Sequence, residues 1–396
     1  MPPDAPAPPD TLQWLEAGQP RSARWRSERA APPPSRVVLA DDTLPADTAY
    51  RLANEGTALL WRGDFQNARH LLQALARRVD RRQRRPGRPL PIHEPGGAFH
   101  RHRMAQAQRA HVLGALLIEL QADHGIALRR GPDWRVAIAE AWGEPLPAST
   151  ATSVVSLREL LGLVSAHEWR KKGVPIAALG APPHNRIHPH YGVFSPVRGE
   201  YLVLVAQAPL PKGGGDGNTA FDIGTGTGAL AAVLARRGLR VVATDIDPRA
   251  LACAADNLAR LGLTECIELQ SVDLFPPGRA ALVVCNPPWL PARPGSPLER
   301  AVYDEDSAML RGFLRGLAAH LAPGGEGWLI LSDLAEHLGL RRPEELPQWI
   351  AQAGLRVVGR LDTRPLHPKA SDPRDPLHAA RAAELTSLWR LAVQAG

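Results

Sequence analysis

The run from Thr219 to Pro291 constrains this chain more than any other stretch. It opens TAFDIGTGTGALAAVLARRGLRVVATDIDP and closes, some way on, with VDLF and ALVVCNPPWLP. Short apolar blocks rich in Val, Ile and Phe alternate with blocks whose apolar residues recur every three or four positions. The first kind reads as buried strand and the second as amphipathic helix. The same reading continued gives strands at 220–223, 240–244, 266–270, 281–285 and 327–332. It gives helices at 228–237, 248–262, 304–322 and near 342–353, and two final extended runs, 355–361 and 385–393. Such alternation predicts a doubly wound α/β domain with a mainly parallel seven-stranded sheet. The last two runs, joined across Pro-rich 364–376, form a hairpin-like edge.

The first strand ends in Asp222-Ile-Gly224-Thr225-Gly226-Thr-Gly228, and a helix follows at once. Glycines are needed where backbone turns sharply and comes within van der Waals distance of a ligand. The helix N-terminus behind them offers free N–H groups to an anionic group. Asp245 closes the next strand, 21 residues after Gly224, where a carboxylate can accept both hydroxyls of a ribose. Asp273, after the third strand, is placed to take an adenine amine at the rim. A dinucleotide-binding unit or a plain glycine turn remains open on these residues. The spacing, however, is G-x-G-x-G and not the G-x-G-x-x-G that accommodates a pyrophosphate.

Asn286-Pro287-Pro288-Trp289 lies 62 residues after Gly224, at the end of the strand expected across the switch point of the sheet, where open α/β sheets bind ligands. Two prolines stiffen the backbone. The Asn286 amide oxygen and the Pro287 carbonyl, both acceptors, can then point at one spot. Such a pair suits an –NH2 whose lone pair is delocalised into an amide or a base ring, and Trp289 offers a flat face on which to stack it. A proline-rich strand exit with Trp289 in the core is the plainer alternative.

Together the two runs resemble the class I S-adenosylmethionine-dependent methyltransferases, and within them the small-domain N-methyltransferases with an (Asp/Asn)-Pro-Pro-aromatic motif. DIGTGTG is similar to motif I of that group, ATDIDP to its second motif, and YGVFSPVRGEYLVLV to its aromatic-x-Pro segment. The resemblance covers roughly residues 190–335. It implies S-adenosylmethionine held by Asp222, Gly224, Thr225, Gly226, Gly228, Asp245, Ile246, Asp273 and Asn286. It implies Asn286, Pro287 and Trp289 at the transfer step, and Pro288, Phe194, Pro196 and Arg198 toward the substrate. Many members carry an acid just after the segment's proline, where this chain has Arg198-Gly199-Glu200. Group members act on exocyclic base amines of nucleic acids or on glutamine side chains of translation proteins.

The rest of the chain bears on the partner. Basic residues exceed acidic ones by 47 to 40. The excess sits upstream: residues 1–200 hold 27 basic and 19 acidic side chains, and 201–396 hold 20 and 21. A basic accessory domain suggests a polyanion. Seven arginines lie between Arg77 and Arg88, followed by His100-Arg101-His102-Arg103, and a solvated helix end or a phosphate-binding patch would each look like this. Only four of the 47 are lysines, a composition that codon bias can produce as much as selection for charge.

Residues 1–46 read as a Pro-rich, partly disordered N-terminus, with a short helix within TLQWLEAGQPRSARWRSE. Residues 47–185 read as a mostly helical basic domain, including helices after Gly63, at Met104–Ala122 and at Ser156–Lys172. Residues 186–396 read as the methyltransferase domain. Cys253, Cys266 and Cys285 lack metal-ligand spacing and read as small core residues of a reducing compartment. His184, His188 and His190 lack an acid or cysteine to complete a metal set. There is no signal peptide at MPPDAPAPPD and no 18-residue apolar run, so a cytoplasmic, metal-free protein is expected.

The main functional expectation is methylation of an adenine or guanine amine in RNA. The alternative is N5-methylation of a glutamine in a release factor or ribosomal protein, and more distantly a methyltransferase-fold binding module without activity. Nothing in the sequence speaks to oligomeric state.

Overall fold

A computed structural model describes residues 10–83, 96–145, 151–196, 199–211, 218–295, 298–366 and 372–394. The chain divides into two compact units, Met1–Glu168 and Trp169–Gly396.

The first unit holds the expected helices around a sheet that the sequence reading missed. Its strands are β1 (Thr11–Glu16), β2 (Gln19–Arg26), β3 (Arg36–Ala40), β4 (Thr57–Trp61), β5 (Leu116–Leu120) and β6 (Ser153–Ser156). They run β1-β2-β6-β5-β4-β3, with β3, β4 and β5 mutually parallel. The helices are α1 (Ala46–Asn54), α2 (Phe65–Gln83), α3 (Gly97–Gly114), α4 (Arg135–Trp142) and α5 (Leu157–Lys172).

Three corrections follow. TLQWLEAGQPRSARWR is no helix: it is the β1–β2 hairpin, turned on Ala17 and Gly18, both at positive φ. Two left-handed residues in a two-residue loop match the twist of the flanking strands. Leu12 and Trp14 are buried while Gln13 faces out, a period of two that a helical reading overlooks. Within the stretch read as a Pro-rich, partly disordered N-terminus, residues 11–16, 19–26 and 36–40 are strand. The helix expected over Met104–Ala122 stops at Gly114, and Leu116, Leu117 and Leu120 belong to β5, covered on both faces. A short run that is apolar at four of its five positions, Leu116–Leu120, fits a buried helix face or a central strand equally well. The unit boundary falls at Glu168 and not at 185, because Val174, Ile176, Leu179 and Ile187 join the core of the second unit. At the carboxyl end of β4, Arg62 bridges Glu16 and Glu119 at 2.7 and 2.8 Å, and hydrogen bonding to Arg62 holds the Glu16 carboxyl down at about 2.

The second unit begins with the short pair β7 (Val174–Pro175) and β8 (Arg186–Ile187) and helix α6 (Glu200–Gln207). Then come β9 (Thr219–Ile223), α7 (Ala229–Arg236), β10 (Arg240–Asp245), α8 (Pro248–Leu261), β11 (Ile267–Ser271) and β12 (Ala280–Cys285). Next are α9 (Ala308–His320), β13 (Leu321–Ser332), α10 (Leu334–His337), α11 (Glu345–Gln352), β14 (Leu355–Thr363), α12 (His378–Ala383) and β15 (Thr386–Val393). The sheet order is β11-β10-β9-β12-β13-β15-β14, parallel except for the antiparallel β13–β15 and β14–β15 pairs. This is the expected seven-stranded doubly wound sheet. The order of the strands reverses between β9 and β12, which run parallel, and at such a switch point open α/β sheets bind ligands in the crevice outside the carboxyl ends of the strands.

The sheet is covered on both faces, by α6, α7 and α8 on one and by α9 and α11 on the other. Close packing explains two glycines of this layer. A Cβ at Gly327 would run into Leu317, and one at Gly316 into the Phe275 ring. Replacing Gly327 by alanine should therefore overpack the β13–α9 contact. We expect a loss of about 1–3 kcal/mol in urea unfolding, whereas an unchanged midpoint would mean that α9 shifts freely.

Candidate functional site

Glycines 224, 226 and 228 all have positive φ (74°, 56° and 78°), so the turn after β9 is a left-handed path that side chains would strain. It is pinned to the neighbouring strand. Gly224 and Thr225 N–H groups both donate to the Thr244 carbonyl (2.9 and 2.8 Å), and Gly226 N–H donates to Asp245 Oδ2 (2.9 Å). A Cβ at Gly224 would strike Met309, and one at Gly228 would press on Ala254 at 3.2 Å. At Gly226 nothing lies within 4 Å. The bend thus packs on protein at its two ends and stands open in the middle.

Asp222 is fully buried beneath that bend. Its Oδ2 accepts from the Thr225 hydroxyl (2.7 Å) and from Ala231 N–H (3.0 Å), while its Oδ1 has no partner. Desolvation pushes its carboxyl up to about 7. Asp245 accepts from Asp247 N–H through Oδ1 and from Gly226 N–H through Oδ2, both at 2.9 Å, and burial raises it too. A carboxylate has about four acceptor sites, so these bonds leave room for a hydroxyl. Ile246 follows with 70% of its surface exposed, an apolar flank at the mouth of the crevice. Asp273 sits exposed in the turn after β11, and the adjacent Leu274 carbonyl is held by Thr244 Oγ1 at 2.6 Å.

Strand register brings the second half of the motif alongside. β9 and β12 are parallel partners with Ile223 opposite Cys285, so Gly224 and Asn286 are the next residues on adjacent strands, which lie about 5 Å apart. Asn286 and Pro288 are half-buried and Pro287 is buried. Trp289 Nε1 donates to Asn286 Oδ1 at 2.9 Å. Past Trp289 the chain returns through a bridge between Leu290 and Tyr303. There the Asp304 carboxylate accepts from Met309 and Leu310 N–H groups (3.0 and 3.1 Å) and caps α9. That cap sets Met309 against Gly224.

On the substrate side, Phe194 is 40% exposed and Pro196 is buried; Arg198 lies outside the described residues. The segment leading to them is strapped to α8. His188 N–H donates to Asn257 Oδ1 (2.7 Å), and His190 N–H to Cys253 Sγ (3.3 Å). Asn257 Nδ2 in turn donates to the Thr227 carbonyl of the glycine bend at 3.0 Å. One buried amide thus ties the bend to the strap. His188 Nδ1 lies 2.6 Å from the Arg170 carbonyl, and His190 pairs with Asp256 at 3.1 Å. Among the described residues no group of three or more His, Cys, Asp or Glu could hold a metal, and no helix is long and apolar enough to cross a membrane.

Sequence reasoning missed Asn257, Thr244, Tyr201 and Asp304. Asn257 left a signal, as the lone polar residue on the apolar stripe Ala250, Cys253, Ala254, Leu258, Leu261 of α8. Thr225, expected at the cofactor, has its hydroxyl turned down onto Asp222.

Residues 185–341 match the family model described as methyltransferase small domain. The matched stretch lies within the C-terminal unit. Within curated proteins, 152 residues are 36% identical to a release factor glutamine methyltransferase of Cereibacter sphaeroides, covering 33% of this chain and 55% of that protein. A ribosomal RNA small subunit methyltransferase C of Alcanivorax borkumensis is 30% identical over 177 residues, 43% of this chain and 47% of that one. The chain spans about half the length of these relatives. A ribosomal protein L11 methylase from Lactobacillus delbrueckii subsp. bulgaricus superposes with a TM-score of 0.37 at 19% identity, over 54% of this chain and 90% of that structure.

The crevice at the carboxyl ends of β9 and β12 fits S-adenosylmethionine on its own geometry. The space at Gly226, the spare acceptor capacity of Asp245, the apolar Ile246 and the orphaned Asp222 Oδ1 meet a ligand with a ribose diol, a flat base and a cationic end.

Asp222 also makes a pH prediction. Its pKa of about 7 in the fold lies above the unfolded value near 4. Its ionisation therefore withdraws stability as pH rises from about 4 to about 7, and the loss persists above that. Asp222→Asn keeps an acceptor for Thr225 and Ala231 but removes the charge. Without ligand, we expect the melting temperatures of variant and wild type to diverge in the variant's favour between pH 5 and 8. Parallel curves would show that Asp222 is already ionised at pH 5.

Proposed function

We propose that this protein is an S-adenosylmethionine-dependent N-methyltransferase acting on a planar exocyclic amine, first of all an adenine or guanine of RNA. The observation that carries the reading is the register that sets the Gly224 bend beside the Asn286-Pro287 corner. S-adenosylmethionine supplies an electrophilic methyl group when bound. Asp245 would hold its ribose, the 224–228 bend and Asp222 its amino-acid end, and Ile246 and Asp273 its adenine. Asn286 Oδ1 and the Pro287 carbonyl would accept the two protons of the target –NH2. That draws the nitrogen lone pair out of conjugation and aims it at the donor side, while Trp289 and Pro288 border the acceptor. Alignment and exclusion of water supply the rate; the nitrogen, cationic once the sulfur–methyl bond has broken, would lose its surplus proton to solvent, so no general base has to act first.

Support for RNA comes from the first unit. Arg77, Arg81 and Arg82 are exposed on the last two turns of α2, and Arg101 is exposed on α3. Nearby Arg78 is engaged with Asp47 at 2.7 Å and Arg109 with Asp80 at 3.0 Å. A stripe of exposed guanidinium groups on a helix end suits a phosphate backbone; Arg84, Arg85 and Arg88 lie outside the described residues. The glutamine reading is favoured by the relatives named release factor glutamine methyltransferase, at 36% and 41% identity. A side-chain amide presents the same flat –NH2.

Incubation with tritiated methyl donor and extract of cells lacking the protein should label a polymer. Loss of the label to RNase supports RNA, loss to protease supports the glutamine reading, and no label at all would refute the enzyme reading. Asp245→Ala should raise the donor Kd about tenfold or more. Asn286→Ala should lower the single-turnover rate about 100-fold with donor binding retained, and an unchanged rate would remove Asn286 from the step. If RNA is the partner, Arg77, Arg81 and Arg82 changed together to Gln should flatten the salt dependence of binding by about two to three log units per log of salt.

A further inference from the structure

We propose that Trp289 serves the reaction through its indole N–H as well as its ring, and that with Tyr201 it locks the Asn286 amide in the orientation that accepts a target amine. The proposal rests on the amine-acceptor reading above and names two positioning residues for it.

An asparagine amide has nearly the same shape either way round, but one end accepts and the other donates. Only one orientation can serve a target amine, since a flipped amide would present N–H groups to N–H groups. An indole N–H can only donate. Because Trp289 Nε1 stands 2.9 Å from the Asn286 side-chain terminus, the atom it meets has to be the oxygen. A second partner is Tyr201, a buried residue of α6 whose hydroxyl is hydrogen-bonded with the Asn286 side chain. A phenol oxygen there can accept from Nδ2. With a pure donor at one end and an acceptor at the other, a flip breaks both bonds at once.

The lock has a consequence for the chemistry. Asn286 Oδ1 has two acceptor sites, and the indole takes one. The remaining site can accept a single proton of the target amine, so the second proton falls to the Pro287 carbonyl, which has no alternative orientation because the Pro-Pro backbone fixes it. A phenylalanine or tyrosine at 289 would offer a ring face but no N–H at this point. Stacking alone therefore makes Trp289→Phe nearly harmless, whereas the lock makes it costly.

The test uses the full-length chain labelled with 15N, in which the indole resonance absent from Trp289→Phe identifies that of Trp289. We expect its N–H to exchange with solvent at least about 100-fold more slowly than an exposed indole, and Tyr201→Phe to shift the Asn286 side-chain amide resonances. In the tritium-transfer assay at saturating donor, Trp289→Phe should transfer about 10- to 100-fold more slowly, with the half-saturating donor concentration unchanged within twofold. Asn286→Ala should lose a similar factor, and the double variant should be no slower than Asn286→Ala alone, as for residues acting as one unit. Should Trp289→Phe unfold, Tyr201→Phe carries the same comparison from the other end of the amide.

Transfer by Trp289→Phe within twofold of wild type, losses that multiply in the double variant, or a freely exchanging indole N–H would each overturn the lock. A wild-type protein that labels nothing would instead overturn the amine-acceptor reading, with the indole exchange still reporting on the lock itself.

Discussion

Two parallel strands hydrogen-bonded side by side, β9 and β12, fix how far the glycine bend stands from the Asn286 corner. No other part of the molecule could set that distance, since the two motifs are separated by 62 residues of chain. Strand spacing is set by backbone hydrogen bonds and tolerates almost no adjustment. A one-residue slip would move every side chain of β12 to the opposite face. Val283 and Cys285 pack toward α9, while Leu282 and Val284 pack toward α7 and α6, so burial on both faces holds the register that the site needs.

The bend itself is a costly shape maintained from three sides. The Thr244 carbonyl and the Asp245 carboxylate hold its N–H groups, and Asn257 holds its Thr227 carbonyl from α8. Asp222 lies beneath, a carboxyl with one satisfied oxygen and one orphan. An unpaired buried oxygen is expensive, and such expense is expected where a ligand completes the structure. The same Asn257 holds the strap that leads to Phe194, so the donor side and the acceptor side of the crevice share one buried amide.

The first unit follows the same rules of packing without the same chemistry. Its parallel strands β3, β4 and β5 are also followed at once by polar residues, Asp41, Arg62 and Gln121, but there the charged groups find partners within the unit. Arg62 joins Glu16 and Glu119, and buried Asp64 is held by Arg130 at 2.7 Å. Its α2 and α3 carry the exposed Arg77, Arg81, Arg82 and Arg101.

What the sequence alone determined was the second unit: its seven strands, their boundaries to within a few residues except at β13, the glycine bend, Asp245, and the Asn286 corner. Those features are local, because period-two and period-3.6 patterns, glycine turns and proline pairs act on neighbours in the chain. The six-stranded sheet of the first unit was not legible in the same way. Its hairpin turns on Ala17-Gly18 without a strong turn signal, and the five residues of β5 fit helix and strand alike. Only the tertiary structure decided that Trp289 turns its N–H onto Asn286, that Thr225 turns down to Asp222, and that Asn257 joins bend and strap. Each is a hydrogen bond whose geometry depends on side-chain direction and on which groups burial leaves without water, and neither is written in the spacing of residues.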